Sequence, residues 1–309
     1  MSALICGSFA YDTIMVFQDK FKNHILPDKV HILNVSFLVP DMRREFGGCA
    51  GNIAYNLKLL GENPYPMGTV GTDFAPYADW MDKHGISRDY LREVGTYTAQ
   101  AFITTDQDDN QITAFHPGAM GLSHENSVLN ARGISVGIVA PDGRDGMIQH
   151  AADFASAGIP FIFDPGQGLP MYNGEELLAF TEQATWLALN DYEAQLFSER
   201  TGKSPEQLAK MVEAVIITRG GKGSQIYTAD KVYDIPLAKV SQINDPTGCG
   251  DAYRAGLLYG LLNKLDWDVT GRIASLMGAI KIESNGTQNH SFTMDEFKAR
   301  FKESFGMEF

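Results

Sequence analysis

The sequence predicts a three-layer α/β sandwich with a mostly parallel central sheet and a small additional β sheet. Buried strands alternate with helices through the middle of the chain, a rhythm typical of a parallel sheet covered on both faces. Two glycine-rich turns lead directly into apolar helices, at Gly47 and at Gly248. Two extended segments interrupt the alternation and predict the small sheet. The alternating strands and helices are expected at 134–140, 145–157, 160–164, 174–184 and 186–189.

The composition excludes several classes of protein. A net charge of −13 over 309 residues argues against a nucleic-acid or anionic-membrane partner, because an acidic surface repels phosphates. Three cysteines, none at a metal-ligand spacing, predict a reduced, cytoplasmic protein without a zinc site or structural disulfide. The first residues show no basic leader, and no apolar run approaches the length of a membrane span. The length fits one large α/β domain or two smaller ones.

The first predicted strand runs from Ala3 to Ser8, with Asp12 just beyond it. Ligands of open α/β sheets gather beyond the carboxyl ends of the strands, so Asp12 is a candidate ligand contact. A plain turn role for this aspartate is the alternative.

Two segments with β-branched and aromatic residues predict the small sheet. The first runs from Val30 to Val39 and includes Ser36. The second is a hairpin, with strands at 99–105 and 111–115 joined by a polar turn. We expect these segments to project from the main domain as a cover, or lid, over the ligand site.

The first glycine-to-helix junction runs from Gly47 to Leu57. Gly47 and Gly48 permit a close backbone approach to a ligand, and Asn52 can both donate and accept hydrogen bonds. Contact between helices through small residues is the alternative reading of the same glycines. A second junction elsewhere in the chain favours ligand binding.

Polar residues follow two of the predicted strands. Asn190 and Glu193 come after one, and Glu193 could hold Mg²⁺ through water, because hard cations take oxygen ligands. A helix-capping role for Asn190 is the alternative. Thr218 and the glycines that follow it, including Gly220 and Gly223, could contact the phosphates of a nucleotide, and a plain hairpin loop is the alternative. Neither a Walker A motif nor Gly-x-Gly-x-x-Gly after the first strand occurs.

The second junction, Asp245 to Gly256, is the predicted catalytic centre. Gly248 and Gly250 allow a sharp turn, and the helix that follows, to about Leu262, presents unpaired N–H groups and a positive dipole end to an anion. Asp251 lies in the first turn of this helix, where it could accept the proton of an attacking hydroxyl. A role as a helix cap is the alternative for Asp251.

Jointly these motifs resemble the ribokinase-like, or phosphofructokinase B, family of carbohydrate and nucleoside kinases over nearly the full length. Two family signatures, Gly-Gly-x-x-x-Asn and Asp-x-x-Gly-x-Gly-Asp, occur in the expected order, at 47–52 and at 245–251. Finer features look like bacterial adenosine kinases, among them Gly7-Ser8-x-x-x-Asp12 and the stretch 115–120. The sequence departs from the family at Cys249, where Ala or Val is usual. The thiol is bulkier than these side chains and can be oxidised, so the sequence does not determine how tight or how redox-sensitive this loop is.

The resemblance implies a ribokinase-like fold in a single catalytic domain over 1–309, with a lid from about 12–46 and 97–118. It implies transfer of the γ-phosphoryl group of ATP to the 5′-hydroxyl of adenosine, giving AMP, with Asp251 as base. The other implied site residues are Gly248, Cys249 and Gly250 at the transferred phosphoryl group, Ser8, Asp12, Ser36, Gly48 and Asn52 at the nucleoside, and Asn190, Glu193, Thr218, Gly220 and Gly223 at ATP and Mg²⁺.

An aromatic pair on the lid, Phe102 and Phe115, suits the flat face of a purine. A sugar kinase of the ribose or fructose type, or a non-catalytic nucleoside-binding protein, are the alternatives. The resemblance implies ATP and Mg²⁺ as cofactors, with K⁺ as a further candidate, and a homodimer formed through the lid.

Overall fold

The structure, a computed structural model, describes residues 2–25, 32, 34–108 and 110–309. Within these residues the strands are β1 (Ser2–Cys6), β2 (Ala10–Val16), β3 (Asp41–Gly47), β4 (Asn63–Val70), β5 (Tyr90–Glu93), β6 (Ala99–Thr105), β7 (Gln111–His116), β8 (Val136–Val139), β9 (Phe161–Phe163), β10 (Trp186–Asn190), β11 (Ala214–Thr218), β12 (Ser224–Tyr227) and β13 (Val232–Ile235). The helices are α1 (Cys49–Leu59), α2 (Ala75–Lys83), α3 (Arg144–Ala157), α4 (Gly174–Gln183), α5 (Asp191–Thr201), α6 (Pro205–Leu208), α7 (Cys249–Leu262), α8 (Trp267–Ile282) and α9 (Met294–Phe305).

The large sheet has the order β13-β12-β11-β10-β9-β8-β1-β4-β5. From β5 to β11 all neighbouring strands are parallel, and only β12 and β13 pair antiparallel at one edge. The predicted α/β fold with a mostly parallel central sheet is therefore confirmed. Parallel strands place their carboxyl ends at one edge of the sheet, which gathers the residues that follow them.

Alternate residues of the central strands pack into two separate hydrophobic cores, one on each face of the large sheet. In β1, Ala3 and Ile5 pack in a cluster with residues of α1 and α7, whereas Leu4 and Cys6 pack with residues of α3 and α4. Successive side chains of a strand point to opposite faces, so a strand with helices on both sides must be apolar throughout. This is why the predicted strands read as continuous apolar runs. No helix among the described residues is long and apolar enough to cross a membrane.

The smaller sheet has four strands in the order β3-β2-β6-β7. Its β6–β7 hairpin was predicted, and β3 leads directly into the first glycine junction. β2 pairs antiparallel with β3 and parallel with β6. The chain therefore leaves the large sheet after β1, runs through β2, and returns from β3 directly into α1.

Two sequence-based expectations about local structure are wrong. Asp12 does not follow a strand as a turn residue, because it lies inside β2. Of the strand expected over Val30–Val39, residues 30, 31 and 33 lie outside the described residues, and 34–39 form no strand. The lid strand begins later, at Asp41. α8 begins at Trp267, where the Asp266 side chain accepts a hydrogen bond from the N–H of Val269 at 3.0 Å.

Candidate active site

A cavity of about 980 Å³ lies between the carboxyl ends of the large sheet and the smaller sheet. Its walls come from the ends of β1 and β8 to β11, from the starts of α1 and α7, and from the inner face of the smaller sheet. This is the edge at which open α/β sheets bind ligands. The predicted site residues that line it are Ser8, Asp12, Gly48, Asn52, Phe115, Asn190, Glu193, Thr218, Gly220, Gly223, Gly248, Cys249, Gly250 and Asp251.

The N-terminus of α7 forms a candidate anion site in this cavity. Gly248 precedes the helix with φ +80°, a left-handed conformation that favours glycine. The N–H of Cys249 donates to Pro246 O at 3.2 Å, whereas those of Gly250 and Asp251 find no acceptor among the described residues. The Cys249 amide, predicted to contact the phosphoryl group, is therefore already engaged. The unpaired donors of the first turn are therefore those of Gly250 and Asp251, and they lie at the positive end of the helix dipole.

The loop before α7 is held in place by hydrogen bonds of Asp245 and Lys281. The Asp245 carboxylate accepts hydrogen bonds from the N–H groups of Thr247 and Gly286, both at 2.9 Å. The buried ammonium of Lys281 donates to the backbone oxygens of Asp245 at 2.7 Å and Ser284 at 3.1 Å. These contacts fix the path of the loop, so that the anion site is formed before any ligand arrives.

Cys249, where the sequence departs from the related kinases, carries a neutral thiol. Burial raises its pKa to about 11. Thiolates rather than thiols are the reactive species, so this cysteine is poorly reactive near neutral pH despite its position at the cavity wall.

Asp251 is bonded across the cavity rather than to its own helix. Its Oδ2 accepts a hydrogen bond from Asn52 Nδ2 at 2.8 Å, and no side chain caps the first turn of α7. Burial raises the pKa of Asp251 to about 6. At neutral pH the carboxylate is ionised yet more basic than an exposed aspartate, which suits a general base. The helix-cap alternative does not fit this geometry.

A buried ion pair lies one turn further along α7. Arg254 donates from Nε to Asp164 Oδ2 at 2.9 Å and from Nη2 to Oδ1 at 3.0 Å, and both side chains are about 5% exposed. Both residues line the cavity. Asp164 disfavours ionisation of Asp251, and Arg254 favours it, so the pair tunes the pKa of the base. The sequence analysis did not assign this pair, because a bond over 90 residues leaves no local signal.

Asp12 reaches the cavity from the smaller sheet. Burial raises its pKa to about 6, and the nearby negative charges of Glu45 and Asp245 contribute. A Cβ on Gly47 would lie 2.6 Å from Asp12 Oδ2, so this position leaves room for the carboxylate. An acceptor of this kind can hold hydroxyl groups of a ligand.

The start of α1 is tied to the end of β1 by Ser8. Cys49 N donates to Ser8 Oγ at 3.2 Å, and Ala50 N donates to Ser8 O at 3.0 Å. Gly48 has φ +88°, and a Cβ there would lie 2.5 Å from Ser8 O and 2.6 Å from the Cα of Phe9. The glycine is therefore required by backbone packing as well as by conformation.

Of the two lid aromatics, only Phe115 faces the cavity. It shares a row of paired residues with Asp12 and Ala101 across the smaller sheet. Phe102 is the next residue of β6, so it points to the opposite face and is 40% exposed. The prediction that Phe102 stacks on a base is wrong for this reason. Ser36 is exposed, lies in an irregular segment and is absent from the cavity wall, so its predicted contact is not formed either.

Asn190 and Glu193 form a capping box at the start of α5. Asn190 Oδ1 accepts from Glu193 N at 2.8 Å, while the Glu193 carboxylate accepts from the N and Nδ2 of Asn190 at 2.8 and 2.7 Å. The capping alternative is thus correct for Asn190, and both residues still line the cavity. Each carboxylate oxygen of Glu193 keeps a free lone pair, which fits a hydrated Mg²⁺ held through water. No cluster of three or more metal-ligating side chains occurs among the described residues.

The loop after β11 forms the far end of the cavity. Thr218 pairs with Ser224 across the antiparallel strands β11 and β12, and Arg219 N donates to Gly223 O at 2.8 Å. This is a hairpin loop, as the alternative proposed. Thr218, Gly220 and Gly223 nevertheless line the cavity, so the hairpin and the ligand-contact readings are compatible.

The segment that follows α8 also contributes to the site, although the sequence did not identify it. Thr287 lines the cavity, and its hydroxyl donates to Phe46 O. Gln288 is buried and donates to Asn52 Oδ1 at 3.0 Å. A Gln in a polar segment has no local signature of function, and only the 236-residue contact with Asn52 identifies it.

Comparisons with known proteins find relatives over nearly the whole chain. Residues 12–294 match the family described as "pfkB family carbohydrate kinase". A nucleoside kinase from Burkholderia thailandensis, solved with inosine, is 54% identical with a TM-score of 0.90, over 99% of both chains. Its structure with ADP-inosine is 55% identical with a TM-score of 0.87, over 99% of this chain and 97% of that one.

A third structure extends the similarity to a relative of lower sequence identity. The nucleoside kinase of Methanocaldococcus jannaschii, described as an archaeal member of the ribokinase family, is 31% identical with a TM-score of 0.89 over 98% of both chains. The fold is therefore ribokinase-like.

Proposed function

Because the chain belongs to the pfkB family of carbohydrate kinases and is a phosphotransferase that acts on a hydroxyl group, we propose that it phosphorylates the ribose 5′-hydroxyl of a purine nucleoside with ATP. Adenosine, giving AMP, is the first candidate. The observation that carries the proposal is the carboxylate of Asp251, with a raised pKa, beside the free N–H groups that begin α7. The inosine bound by the relative from Burkholderia thailandensis supports a purine nucleoside as acceptor.

In this reaction Asp251 accepts the proton of the 5′-hydroxyl as its oxygen forms a bond to the γ-phosphorus. The bond between that phosphorus and the β–γ bridging oxygen breaks, and ADP leaves. The N–H groups of Gly250 and Asp251, at the positive end of α7, face the charge on the transferred group. The chain contributes mostly positioning and electrostatic stabilisation, as phosphoryl transfer requires.

The remaining cavity residues fall into two groups, one for the nucleoside and one for ATP. Asp12 and Asn52 offer an acceptor and a donor for ribose hydroxyls, and Phe115 offers a flat surface for the base. Thr218 and the glycines of its loop would contact the phosphates of ATP. Asn190 and Glu193 would hold Mg²⁺ through water, where it would offset the charge of the phosphates.

We also propose a homodimer formed through the outer face of the smaller sheet. Phe102, Met42 and Ile112 point to this face, opposite to Asp12, and are 40%, 69% and 45% exposed. An apolar sheet face of this kind favours association. Light scattering after size exclusion is expected to give twice the 33.9 kDa mass of the chain for the wild type. The Phe102→Glu variant is expected to give the mass of one chain.

A panel of acceptors tests the reaction. Purified protein is assayed for ADP formation with ATP, Mg²⁺ and adenosine, inosine, guanosine, cytidine, ribose or fructose, with Asp251→Asn as the matched inactive control. We expect purine nucleosides to give the highest kcat/KM. Activity on ribose or fructose alone would identify a sugar kinase, and nucleoside binding without ADP formation would identify a non-catalytic binding protein.

A further inference from the structure

We propose that Gln288 is a positioning residue that fixes the orientation of the Asn52 amide and, through it, presents an N–H donor to Asp251. The proposal rests on the role of Asp251 given above. Asn52 Nδ2 donates to Asp251 Oδ2 at 2.8 Å, and on its other side Asn52 Oδ1 accepts from Gln288 Nε2 at 3.0 Å. Asn52 and Gln288 are 4% and 3% exposed.

The polarity of this chain of hydrogen bonds begins at Trp80. An indole nitrogen can only donate, and Trp80 Nε1 lies 2.9 Å from Gln288 Oε1. The end of the Gln288 amide that faces Trp80 must therefore be its oxygen. The opposite end, which faces Asn52, must be the NH₂ group.

Tyr77 imposes the same polarity independently. Its hydroxyl donates its one hydrogen to Gly47 O at 2.9 Å, so towards Gln288 it can only accept. Gln288 Nε2 lies 2.7 Å from this hydroxyl oxygen. Two neighbours of different chemistry thus demand the NH₂ group of Gln288 on the side of Asn52.

The consequence for Asn52 follows from donor and acceptor matching. With an NH₂ group on the Gln288 side, the facing atom of Asn52 must be Oδ1, and Nδ2 must point to Asp251. The reverse orientation would place two NH₂ groups against each other and a carbonyl oxygen against the Asp251 carboxylate. A buried donor left without an acceptor costs about 1–3 kcal/mol, so the reverse orientation is rare.

Gly51 shows that the fold makes room for this chain. A Cβ at this position of α1 would lie 1.9 Å from the hydroxyl of Tyr77 and 3.3 Å from Gln288 Nε2. The backbone of α1 can therefore approach these two side chains only with glycine here. This glycine directly precedes Asn52 in the Gly-Gly-x-x-x-Asn signature of the first junction, and its role there is in packing.

The hydrogen bond from Asn52 is one of the interactions that favour the ionised form of Asp251. Burial and the charge of Asp164 disfavour ionisation, while the Asn52 hydrogen bond, Arg254 and the Cys49 thiol favour it. Tyr77 on α2 and the thiol of Cys249 also lie near Asp251, and burial raises the pKa of both, so both are neutral at physiological pH. Loss of the fixed Asn52 donor is thus expected to shift the titration of Asp251 upward.

The first experiment measures kcat against pH for Gln288→Met, which keeps the length of the side chain and removes its polar atoms. We expect the acid limb to move up by roughly one pH unit, the scale of one hydrogen bond to a charged group. At pH 6 kcat would fall about fivefold and then recover by about pH 8, because deprotonation restores the base. The KM for ATP is expected to stay within about twofold, since no ATP contact is altered.

Two further variants separate positioning from general loss of structure. Trp80→Phe removes one of the two restraints on Gln288 and leaves Tyr77, so a smaller shift in the same direction is expected. Thr181→Val removes a buried hydrogen bond to Leu177 O on α4, far from the cavity, and is expected to leave the pH profile unchanged. A uniform fall in kcat with a lower Tm and an unmoved acid limb in Gln288→Met would overturn the proposal.

A measurement without turnover keeps the two proposals distinguishable. The carboxyl carbon of Asp251, assigned by loss of its signal in Asp251→Asn, is followed by NMR against pH in the wild type and in Gln288→Met. We expect the higher midpoint in the variant. If the wild type phosphorylates no acceptor, the proposed function fails, while equal midpoints in this titration would refute the role of Gln288 alone.

Discussion

The two glycine-to-helix junctions are alike in sequence and differ in what their backbones do. Each places a glycine with positive φ before a helix that begins with cysteine, Gly48 before α1 and Gly248 before α7. At α1 the first two N–H groups donate to Ser8, so the junction is a joint between β1 and the helix. At α7 the second and third N–H groups find no acceptor among the described residues, and both residues line the cavity. Of the first three N–H groups at α1, that of Gly51 finds no acceptor among these residues either, but Gly51 does not line the cavity.

A glycine turn before a helix can thus become an anion site only if the rest of the fold leaves the N–H groups of the first helical turn unpaired. At α1 the backbone from Ser8 to Ala10 lies too close to the helix start for a side chain at Gly48, since a Cβ there would lie within 2.7 Å of three of its atoms. At α7 the atoms nearest to a Cβ on Gly248 would be those of Thr287, with its Cγ2 at 3.0 Å. The first junction therefore positions Asn52, and the second is the candidate anion site.

The largest expected effect tests whether chemistry resides at the second junction. Asp251→Asn removes the proton acceptor while keeping the shape of the side chain, so kcat is expected to fall by two orders of magnitude or more. Nucleoside binding, measured by calorimetry, should persist. Asp268→Asn, which breaks a partly exposed pair with Arg272 on α8, serves as the control and should leave kcat unchanged. Retained turnover in Asp251→Asn would remove this residue from the mechanism.

Alanine at each N-cap glycine tests the structural half of the comparison. Both substitutions cost about 1–2 kcal/mol of unfolding free energy for the left-handed conformation. Gly48→Ala adds overpacking against backbone, which costs roughly a further 1–3 kcal/mol. Urea denaturation should therefore find Gly48→Ala the less stable of the two. Equal losses would mean that the backbone around Ser8 yields easily.

The pH dependence of kcat/KM separates the carboxylates that the two regions contribute. Burial raises the pKa of both Asp12 and Asp251 to about 6, and both are expected to act ionised. Activity should therefore be full above this pH and fall as pH drops through it, with a limiting slope near two on a logarithmic plot. Asp12→Asn should lower kcat/KM and reduce the slope to about one. An unchanged slope in this variant would show that Asp12 does not titrate with activity.

The smallest effect is expected from Gly250→Ala. A Cβ here would meet no protein atom closer than Arg254 Nη1 at 4.0 Å, so it would enter the cavity beside the free N–H groups. The unfolding free energy should stay unchanged or rise by up to about 1 kcal/mol, because alanine favours helix. Displacement of the phosphoryl group is expected to lower kcat/KM roughly tenfold. Unaltered kinetics would place the phosphoryl group elsewhere.

Much of the site could be predicted because its residues lie in short segments whose local geometry the sequence fixes. Gly248 and Asp251 are three residues apart, so one turn and one helix turn set their relation. Asn190 and Glu193 likewise belong to one capping box. Phe102 and Phe115 could not be separated in this way, because the face of a strand depends on pairing register, and β2, which sets that register, was not recognised.

By itself the sequence determined the parallel sheet, the two junctions and the identity of the candidate base. These follow from patterns a few residues long, namely apolar runs, glycines and caps. Only the tertiary structure decided which junction keeps free donors, which aromatic faces the cavity, and which partners set the charge of Asp251. Those partners, Asp164 through Arg254 and Gln288 through Asn52, are joined over 90 and 236 residues. Contacts of that span arise when the chain closes on itself and have no trace in local sequence.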